Sequence, residues 1–234
     1  MEGKPTPSGS FDTERSAAHA LRTELDARLT VRDRAGAVSS ALAAVDRGPL
    51  GVADLYTLVL APLLADTGAS WRSGITRVWE EHFVSATVRT IIEALAPRVI
   101  ALAADAPPRD ITVLLACPPG EYHDLGLRML LDRFLLAGYP ADFLGADTPV
   151  SEIRHAAETF GADLVVLSAS THYHRVGLRQ VIENLARDLP SGTTIAVGGP
   201  AFARDTDWTA SGAATLLDPI AYGLPGLAPH EGAT

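Results

Sequence analysis

A histidine closely follows an apolar run in this 234-residue chain, with a carboxylate two residues before it and a glycine three residues after it. The run is "ITVLLA", and the segment after it, "CPPGEYHDLG", contains Glu121, His123 and Gly126. Open α/β sheets bind their ligands where a strand ends and a helix begins. The residue types in this segment are therefore expected to indicate the ligand.

Other groupings in the same half of the chain could also carry chemistry. Glu121, His123 and Ser168 could form a hydrolytic triad, but Ser168 lacks the strained turn that exposes a nucleophilic serine, so hydrolysis is disfavoured. His172 and His174 could bind a metal only with further ligands, so we interpret them as solvated loop histidines. The sequence contains no G-x-G-x-x-G segment, no phosphate-binding lysine loop and no G-x-S-x-G segment.

The N-terminal part of the chain has helical spacing of its apolar residues and no strand pattern. Residues 1–11, which are rich in Gly, Pro and Ser, are expected to be flexible. Four helices are predicted between residues 12 and 104, with disturbances near Pro62 and Pro97. The prediction for 12–104 is therefore a four-helix bundle.

The pattern changes after "APPRD", and residues 105–234 alternate apolar runs with helical segments. The runs "ITVLLAC", "ADFLGA", "DLVVLSAS" and "TTIAVGG" predict buried strands, and "ATLL" predicts a short last strand after a helix around 202–209. Apolar strands separated by helices predict a parallel, doubly wound sheet. The loops "CPPGEYH", "GADT", "SASTHYH" and "GGP" then meet at one edge of that sheet, which is the expected site.

Composition limits the classes of function. The net charge of −9 disfavours nucleic-acid binding through a basic face. The single cysteine, Cys117, excludes a disulfide framework and a multi-cysteine metal site. We expect no apolar stretch long enough to span a membrane and no signal peptide, so a cytoplasmic protein is the simplest interpretation.

The loops at the strand ends resemble those of the cobalamin-binding domain family. Its pattern of Asp-x-His-x-x-Gly, then Ser-x-Leu, then Gly-Gly is matched here, in order, by Glu121-x-His123-x-x-Gly126, Ser168-x-Ser170 and Gly198-Gly199. The resemblance implies a Rossmann-like, flavodoxin-like fold. Two positions depart from the pattern, because a glutamate replaces the aspartate and a serine replaces the leucine.

The resemblance also implies roles for individual residues. His123 would be the lower axial ligand of cobalt, in place of the cofactor's own base. An imidazole in this role needs a partner for its second nitrogen, which Glu121 or Ser168 can supply. Glycines at positions 126, 198 and 199 would make room for the nucleotide tail of the cofactor.

A second motif, in the helical half, resembles the signature of CarH-type photoreceptors, in which a helical bundle covers the upper face of adenosylcobalamin. Trp71 is followed after nine residues by Glu81-His82. An unbroken helix would place Trp71 and His82 on one face, although Gly74 argues for a loop. The resemblance implies that Trp71 shields the adenosyl group, that Glu81 binds its ribose and that His82 lines the pocket. Trp79 is interpreted as a core aromatic.

One departure concerns the upper ligand. A histidine commonly follows the tryptophan in that family, whereas this chain has Arg72, which has no lone pair to give. His82 is therefore the candidate upper cobalt ligand after photolysis. The full predicted cofactor-binding set is Trp71, Glu81, His82, Glu121, Tyr122, His123, Asp124, Gly126, Ser168, Ser170, Thr171, Gly198 and Gly199.

The expected protein is a light sensor rather than an enzyme. Its expected cofactor is adenosylcobalamin, with methylcobalamin as the alternative, and photolysis would rearrange the bundle against the sheet domain. A helix-turn-helix module is missing, so the output is expected to pass through a protein partner such as a transcription regulator, or through a homo-oligomer. No direct nucleic-acid or membrane contact is expected. The alternatives are a corrinoid carrier subunit of a methyltransferase system and a cobalamin module indifferent to light.

Overall fold

The protein divides into two compact units, Met1–Val99 and Ile100–Thr234. A computed structural model describes residues 8–202 and 214–215. The first helix begins at Ser8, four residues before the predicted start, and residues 1–7 lie outside the described part. A helical unit followed by a parallel-sheet unit confirms the predicted fold class.

The helical unit consists of long helices joined by short turns. In chain order its elements are α1 (Ser8–Thr30), α2 (Arg34–Arg47), α3 (Val52–Asp54), a π-helical segment (Leu55–Leu60), α4 (Ala61–Arg72) and α5 (Val78–Ala103). Helix α1 packs against α2 and against the π-helical segment. Leu25, Leu60 and Ile92 are fully buried, as expected for the apolar faces of a bundle.

The two prolines disturb the helices less than predicted. Pro62 lies in the first turn of α4, where a missing amide hydrogen costs little. Pro97 lies inside α5, which continues through it to Ala103. The ring of Pro97 is on the exposed face of the helix, where water can satisfy a backbone carbonyl that a proline leaves without its amide donor.

One apolar stretch contradicts the expectation about membrane spans. The continuous helical stretch Val52–Arg72 has the length and apolar composition that could cross a membrane. Its side chains Leu55, Leu60 and Leu63 are buried among the core residues of the fold. Because the core helix of a soluble protein has the same composition, this stretch is weak evidence for a membrane segment.

A tight turn separates α4 from α5 and rules out an unbroken helix between Trp71 and His82. Gly74 has a left-handed φ of +76°, and its amide donates to the carbonyl of Trp71. The carboxylate of Glu80 then accepts from the amide of Arg77, which caps the start of α5. Trp71 therefore lies on one side of this turn and Glu81 on the other.

The sheet unit alternates strands and helices. Its elements are β1 (Val113–Ala116), α6 (Leu125–Leu136), β2 (Ala141–Phe143), α7 (Val150–Phe160), β3 (Leu164–Ser168), α8 (His172–Asp188), β4 (Thr194–Gly198), a 3-10 turn (Pro200–Phe202) and β5 (Ala214–Thr215). Every strand pairing is parallel, in the order β2-β1-β3-β4-β5. The chain builds the sheet from β1 to β2 on one side and from β3 to β5 on the other, so the switch point of the topology lies between β1 and β3. Sheets of this kind bind ligands at the switch point. The predicted helix around 202–209 falls largely outside the described residues.

Alternate residues of the central strands fill two separate cores. Leu114 and Val165 point to the face covered by α7 and α8, and they pack with Ile153 and Ile182. On the other face Leu115 packs with residues of α6. Burial on both faces explains why the strands are apolar throughout rather than alternating.

The turn after α6 generates a prediction about stability. Gly138 has a φ of +86°, and a Cβ there would lie 1.9 Å from the carbonyl oxygen of Pro107. Gly161, at the end of α7, has a φ of +63° with nothing within 4 Å of an added Cβ. Gly161→Ala should therefore lower the free energy of unfolding by about 1 kcal/mol from backbone strain alone.

Gly138→Ala should lower the free energy of unfolding by roughly 3 kcal/mol, because a clash of the added Cβ with rigid backbone adds to the strain. Urea unfolding followed by circular dichroism measures both variants. Equal losses in the two variants would contradict the role assigned to the Pro107 contact.

Candidate functional site

The loop after β1 carries a carboxylate with no exposed surface, Glu121. The amide of Glu121 donates to the carbonyl of Pro118, and Gly120 adopts a φ of +83°, so the chain turns sharply before it. Asp147, in the loop after β2, accepts from the amide of Gly120 at 2.8 Å and from the hydroxyl of Tyr122 at 3.0 Å. The neighbouring loop thus holds this turn in place.

Donors from two loops surround the carboxylate. Oε1 accepts from the amide of His123 at 2.9 Å and lies 2.6 Å from its Nδ1. Oε2 accepts from the amide of Ser170 at 2.7 Å and from its hydroxyl at 2.8 Å. Burial alone would raise the pKa of Glu121, but the hydrogen bonds from His123 and Ser170 outweigh it and lower the pKa to about 2. The side chain is therefore a buried anion.

The imidazole of His123 is oriented by this anion. Because Nδ1 bonds to the carboxylate, its proton lies on Nδ1 and the lone pair of the neutral ring lies on Nε2. The side chain is 65% exposed, so a large ligand can reach it. An exposed imidazole with a fixed tautomer and a buried acidic partner is the donor that an axial metal ligand requires. The residues present fit a corrinoid with cobalt bound at Nε2.

The serine that contacts His123 differs from the expected one. The hydroxyl of Ser170 lies 2.8 Å from Nδ1 of His123. Ser168 instead ends β3, pairs with Gly198 of β4 and is buried. Ser170 lies two residues beyond the end of β3, and its amide and hydroxyl reach Glu121 from there.

His174 contradicts the interpretation as a solvated loop histidine. It lies in the first turn of α8, and its Nδ1 is 2.8 Å from Oε2 of Glu121 and 3.2 Å from the hydroxyl of Ser170. Only 21% of its side chain is exposed. His172 begins the same helix, so neither histidine is in a loop. The sequence signal for His174 was its place in "SASTHYH", at the edge predicted to bind the ligand.

Glu121, His123 and His174 also offer three metal-ligand atoms within 4.8 Å of one another. The carboxylate oxygens are 2.6 Å and 2.8 Å from the two imidazole nitrogens. Ligands of a tetrahedral zinc ion, with bonds of about 2.0 Å, lie about 3.3 Å apart. The separations therefore match hydrogen bonds rather than a preformed site for a bare metal ion.

The other residues predicted for this edge have varied surroundings. Tyr122 is 66% exposed beside His123 in sequence, whereas Asp124 is buried at the start of α6. A Cβ on Gly126 would meet nothing within 4 Å, so the surface there is open. Thr171 caps α8, because its hydroxyl accepts from the amide of His174 at 3.3 Å.

Packing explains the glycine that ends β4, Gly198, and the glycine that follows it, Gly199. Gly198 is paired with Ser168, and its carbonyl accepts from the amide of Ala169. Gly199 has a φ of +100°, and a Cβ there would lie 2.6 Å from the carbonyl oxygen of Ala169. The close approach of two strand ends therefore requires Gly199, whatever role it has toward a ligand.

Cys117 directly follows β1 and is fully buried. Burial, followed by the negative charges of Glu121 and Asp124, raises the pKa of its thiol to about 12. The side chain therefore stays a neutral thiol and contributes to packing.

The helical unit presents exposed aromatic residues at the turn between α4 and α5. Trp71 is 46% exposed, and Trp79 is 50% exposed, so the interpretation of Trp79 as a core aromatic is wrong. Glu81 accepts from the hydroxyl of Ser85 at 2.5 Å. Nε2 of His82 lies 3.6 Å from the carboxylate of Glu81, and the imidazole is largely exposed.

Comparison with known families identifies the class of protein. A B12 binding domain model matches residues 111–218, within the sheet unit. A second B12 binding domain model matches residues 21–96, within the helical unit. The chain therefore belongs to the B12-binding domain family and binds cobalamin. This confirms the family predicted from the loops at the strand ends.

Two similar proteins are transcriptional repressors of Myxococcus xanthus. The chain is 34% identical over 144 residues to the HTH-type transcriptional repressor CarH, a match that covers 61% of this chain and 46% of that protein. It is 36% identical over 113 residues to the HTH-type transcriptional repressor CarA, a match that covers 47% of this chain and 34% of that protein. The chain thus resembles the CarH group, as predicted, and spans less than half the length of either relative.

A solved structure shares the fold. The monomethylamine corrinoid protein of Methanosarcina barkeri superposes with a TM-score of 0.69 at 18% identity, covering 84% of this chain and 92% of that one. At this identity the likeness shows the fold alone.

The buried anion generates a prediction about pH. The ordinary pKa of a glutamate is 4.5, whereas the folded protein holds the pKa of Glu121 at about 2, with His123, His174 and Ser170 facing it. Because the folded-state pKa is the lower one, Glu121 stabilises the fold fully above about pH 4.5. This contribution, of a few kcal/mol, is lost as the pH falls toward about 2.

Glu121→Gln should therefore be less stable than the wild type at neutral pH, and the difference should shrink toward about pH 2. Urea unfolding of the cobalamin-free protein across this range measures it. Glu152→Gln, at an exposed position of α7, is the matched control and should follow the wild type at every pH. A difference between Glu121→Gln and the wild type that stays constant with pH would contradict the assignment.

Proposed function

We propose that this cobalamin-binding protein is a light-sensing regulator. The observation that carries the proposal is the pair of residues on either side of the α4–α5 turn, an exposed Trp71 and the carboxylate of Glu81, in a chain similar to CarH. Bound cobalamin supplies a cobalt–carbon bond that visible light can break. The role of the chain is to hold that cofactor and to change shape or assembly when the bond breaks.

His123 is the lower axial ligand in this proposal. The Nδ1 bond to Glu121 fixes the tautomer and increases the electron donation from Nε2. Ser170 holds the same carboxylate through its amide and its hydroxyl. The lower ligand is thus oriented by groups that the folded chain has already placed.

Residues of the helical unit bind the adenosyl group of the cofactor in this proposal. Trp71 offers an aromatic plane on which an adenosyl group can stack, and Glu81 can accept a hydrogen bond from the ribose. Adenosylcobalamin is therefore favoured over methylcobalamin, since a methyl group needs neither contact. After photolysis, His82 is the available upper ligand because Arg72 has no lone pair, so His82→Ala should change the spectrum of the illuminated protein only.

The output passes through a protein partner or through self-association in the cytoplasm. The similar proteins CarH and CarA are transcriptional repressors, which supports a regulatory partner. The alternative is a corrinoid carrier for a methyltransferase, which must expose the upper face of the cofactor to other enzymes. The experiments below separate the two.

Removing the imidazole of His123 tests the lower ligand. His123→Ala should bind cobalamin at least tenfold more weakly, or should bind it with the cofactor's own base still coordinated. Electron paramagnetic resonance of the cob(II)alamin form identifies the coordinating nitrogen. His155→Ala, at an exposed histidine of α7, is the control and should match the wild type. Unchanged coordination in His123→Ala would remove this ligand from the proposal.

Light and the upper face are tested together. Protein loaded with adenosylcobalamin in the dark should change its visible spectrum under green light, and its elution volume in size-exclusion chromatography should change with it. Trp71→Ala should lower the preference for adenosylcobalamin over methylcobalamin roughly three- to tenfold, measured by titration in the dark. Trp79→Ala is the matched control, because it removes a similarly exposed tryptophan at one of the nine intervening positions, which the motif does not specify.

Two results would contradict the sensor. An elution volume that stays constant although the cobalt–carbon bond has broken would show that light is not transmitted to the protein. Equal selectivity in Trp71→Ala, Trp79→Ala and the wild type would remove the contact with the adenosyl group and would favour the methyl carrier.

A further inference from the structure

A second imidazole lies within 2.8 Å of the anion that orients His123. His174 lies in the first turn of α8, and Thr171, which caps that helix, accepts from its amide. Its Nδ1 lies 2.8 Å from Oε2 of Glu121, the oxygen that faces away from His123. The side chain is mostly buried, so its position is set by the fold rather than by solvent.

The donors at Glu121 are divided between its two oxygens. Among the residues that the structure describes, His123 is the one that donates to Oε1, through its amide and its ring. Oε2 is shared by the amide and hydroxyl of Ser170 and by the ring of His174. A carboxylate offers about four lone-pair sites, so five donors compete for its charge. Each donor at Oε2 draws negative charge away from the oxygen that faces His123.

We propose that His174 is a positioning residue that acts through Glu121 to limit how strongly His123 donates electrons to cobalt. The proposal rests on the assignment of His123 as the lower ligand. With His174 in place, the carboxylate is held in one plane and its charge is shared. Without it, Oε1 carries more charge, the bond from Nδ1 of His123 becomes stronger, and Nε2 becomes a stronger donor.

Three variants of the full-length protein in the cob(II)alamin form test this inference. His174→Ala removes the donor to Oε2. His174→Asn keeps a donor, because the side-chain amide nitrogen of asparagine occupies nearly the same position along the side chain as Nδ1 of histidine. His155→Ala is the control at an exposed histidine. The measurement is the hyperfine coupling of the axial nitrogen in electron paramagnetic resonance.

The coupling to the axial nitrogen should increase in His174→Ala, and it should return toward the wild-type value in His174→Asn. His155→Ala should leave the coupling unchanged. The affinity for cobalamin should fall no more than about tenfold in His174→Ala, since the ligand itself remains. Recovery in His174→Asn separates a hydrogen-bond role from a loss of packing, which an asparagine would not restore.

Identical couplings in the wild type and His174→Ala would overturn the inference. If His174→Ala does not fold, a coupling in His174→Asn far from the wild-type value would overturn it as well, and a retained coupling would support it. Labelling the protein with ¹⁵N-histidine distinguishes failure of the role proposed for His174 from failure of His123 as the cobalt ligand. A wild-type coupling that does not respond to the label would show that no protein histidine binds cobalt, and both assignments would then fall.

Discussion

The ionised state of one buried side chain determines the geometry of the ligand-binding edge. Burial alone would raise the pKa of Glu121, and a protonated carboxyl group would offer one donor where its neighbours require an acceptor. The carboxylate stays charged because two amides, a hydroxyl and the imidazole of His123, all from the loops after β1 and β3, converge on it. The imidazole of His174, in the first turn of α8, lies against it as well. The loops in turn keep their positions because the charge is there. The charge and the loop positions therefore stabilise each other.

The parallel pairing of β1 with β3 brings the loops that follow these strands together. Strands β1 and β3 are neighbours in space but are separated in sequence by β2 and two helices. Their carboxyl ends therefore deliver residues about fifty positions apart, Glu121 and Ser170, to the same point. The helices on both faces bury the strands and leave only these ends for polar residues, so the fold itself separates the packed core from the ligand edge.

Much of this arrangement could be predicted from the sequence, since strand periodicity and strand-end loops are local signals. The parallel strands and the meeting of their end loops at one edge follow from such signals. The contact of Glu121 with His123 is one of two alternatives that the family resemblance leaves open. The distinction between Ser168 and Ser170 does not follow from local signals, because it depends on how far β3 extends before the chain leaves the sheet. Nor does the role of His174, which requires knowing that α8 begins at His172 rather than after a loop. The exposure of Trp79 depends on the turn at Gly74, which interrupts the helical periodicity.

The hydrogen bonds that Asp147 accepts from the loop after β1 have a consequence for the thermodynamics of cofactor uptake. The loop after β1 is held on one side by Asp147 and on the other by Ser170. The conformational entropy of this loop is therefore lost when the chain folds rather than when the cofactor arrives. Uptake of a large corrinoid then releases water from a rigid edge, and the association enthalpy and heat capacity should report surface burial with little added loop ordering.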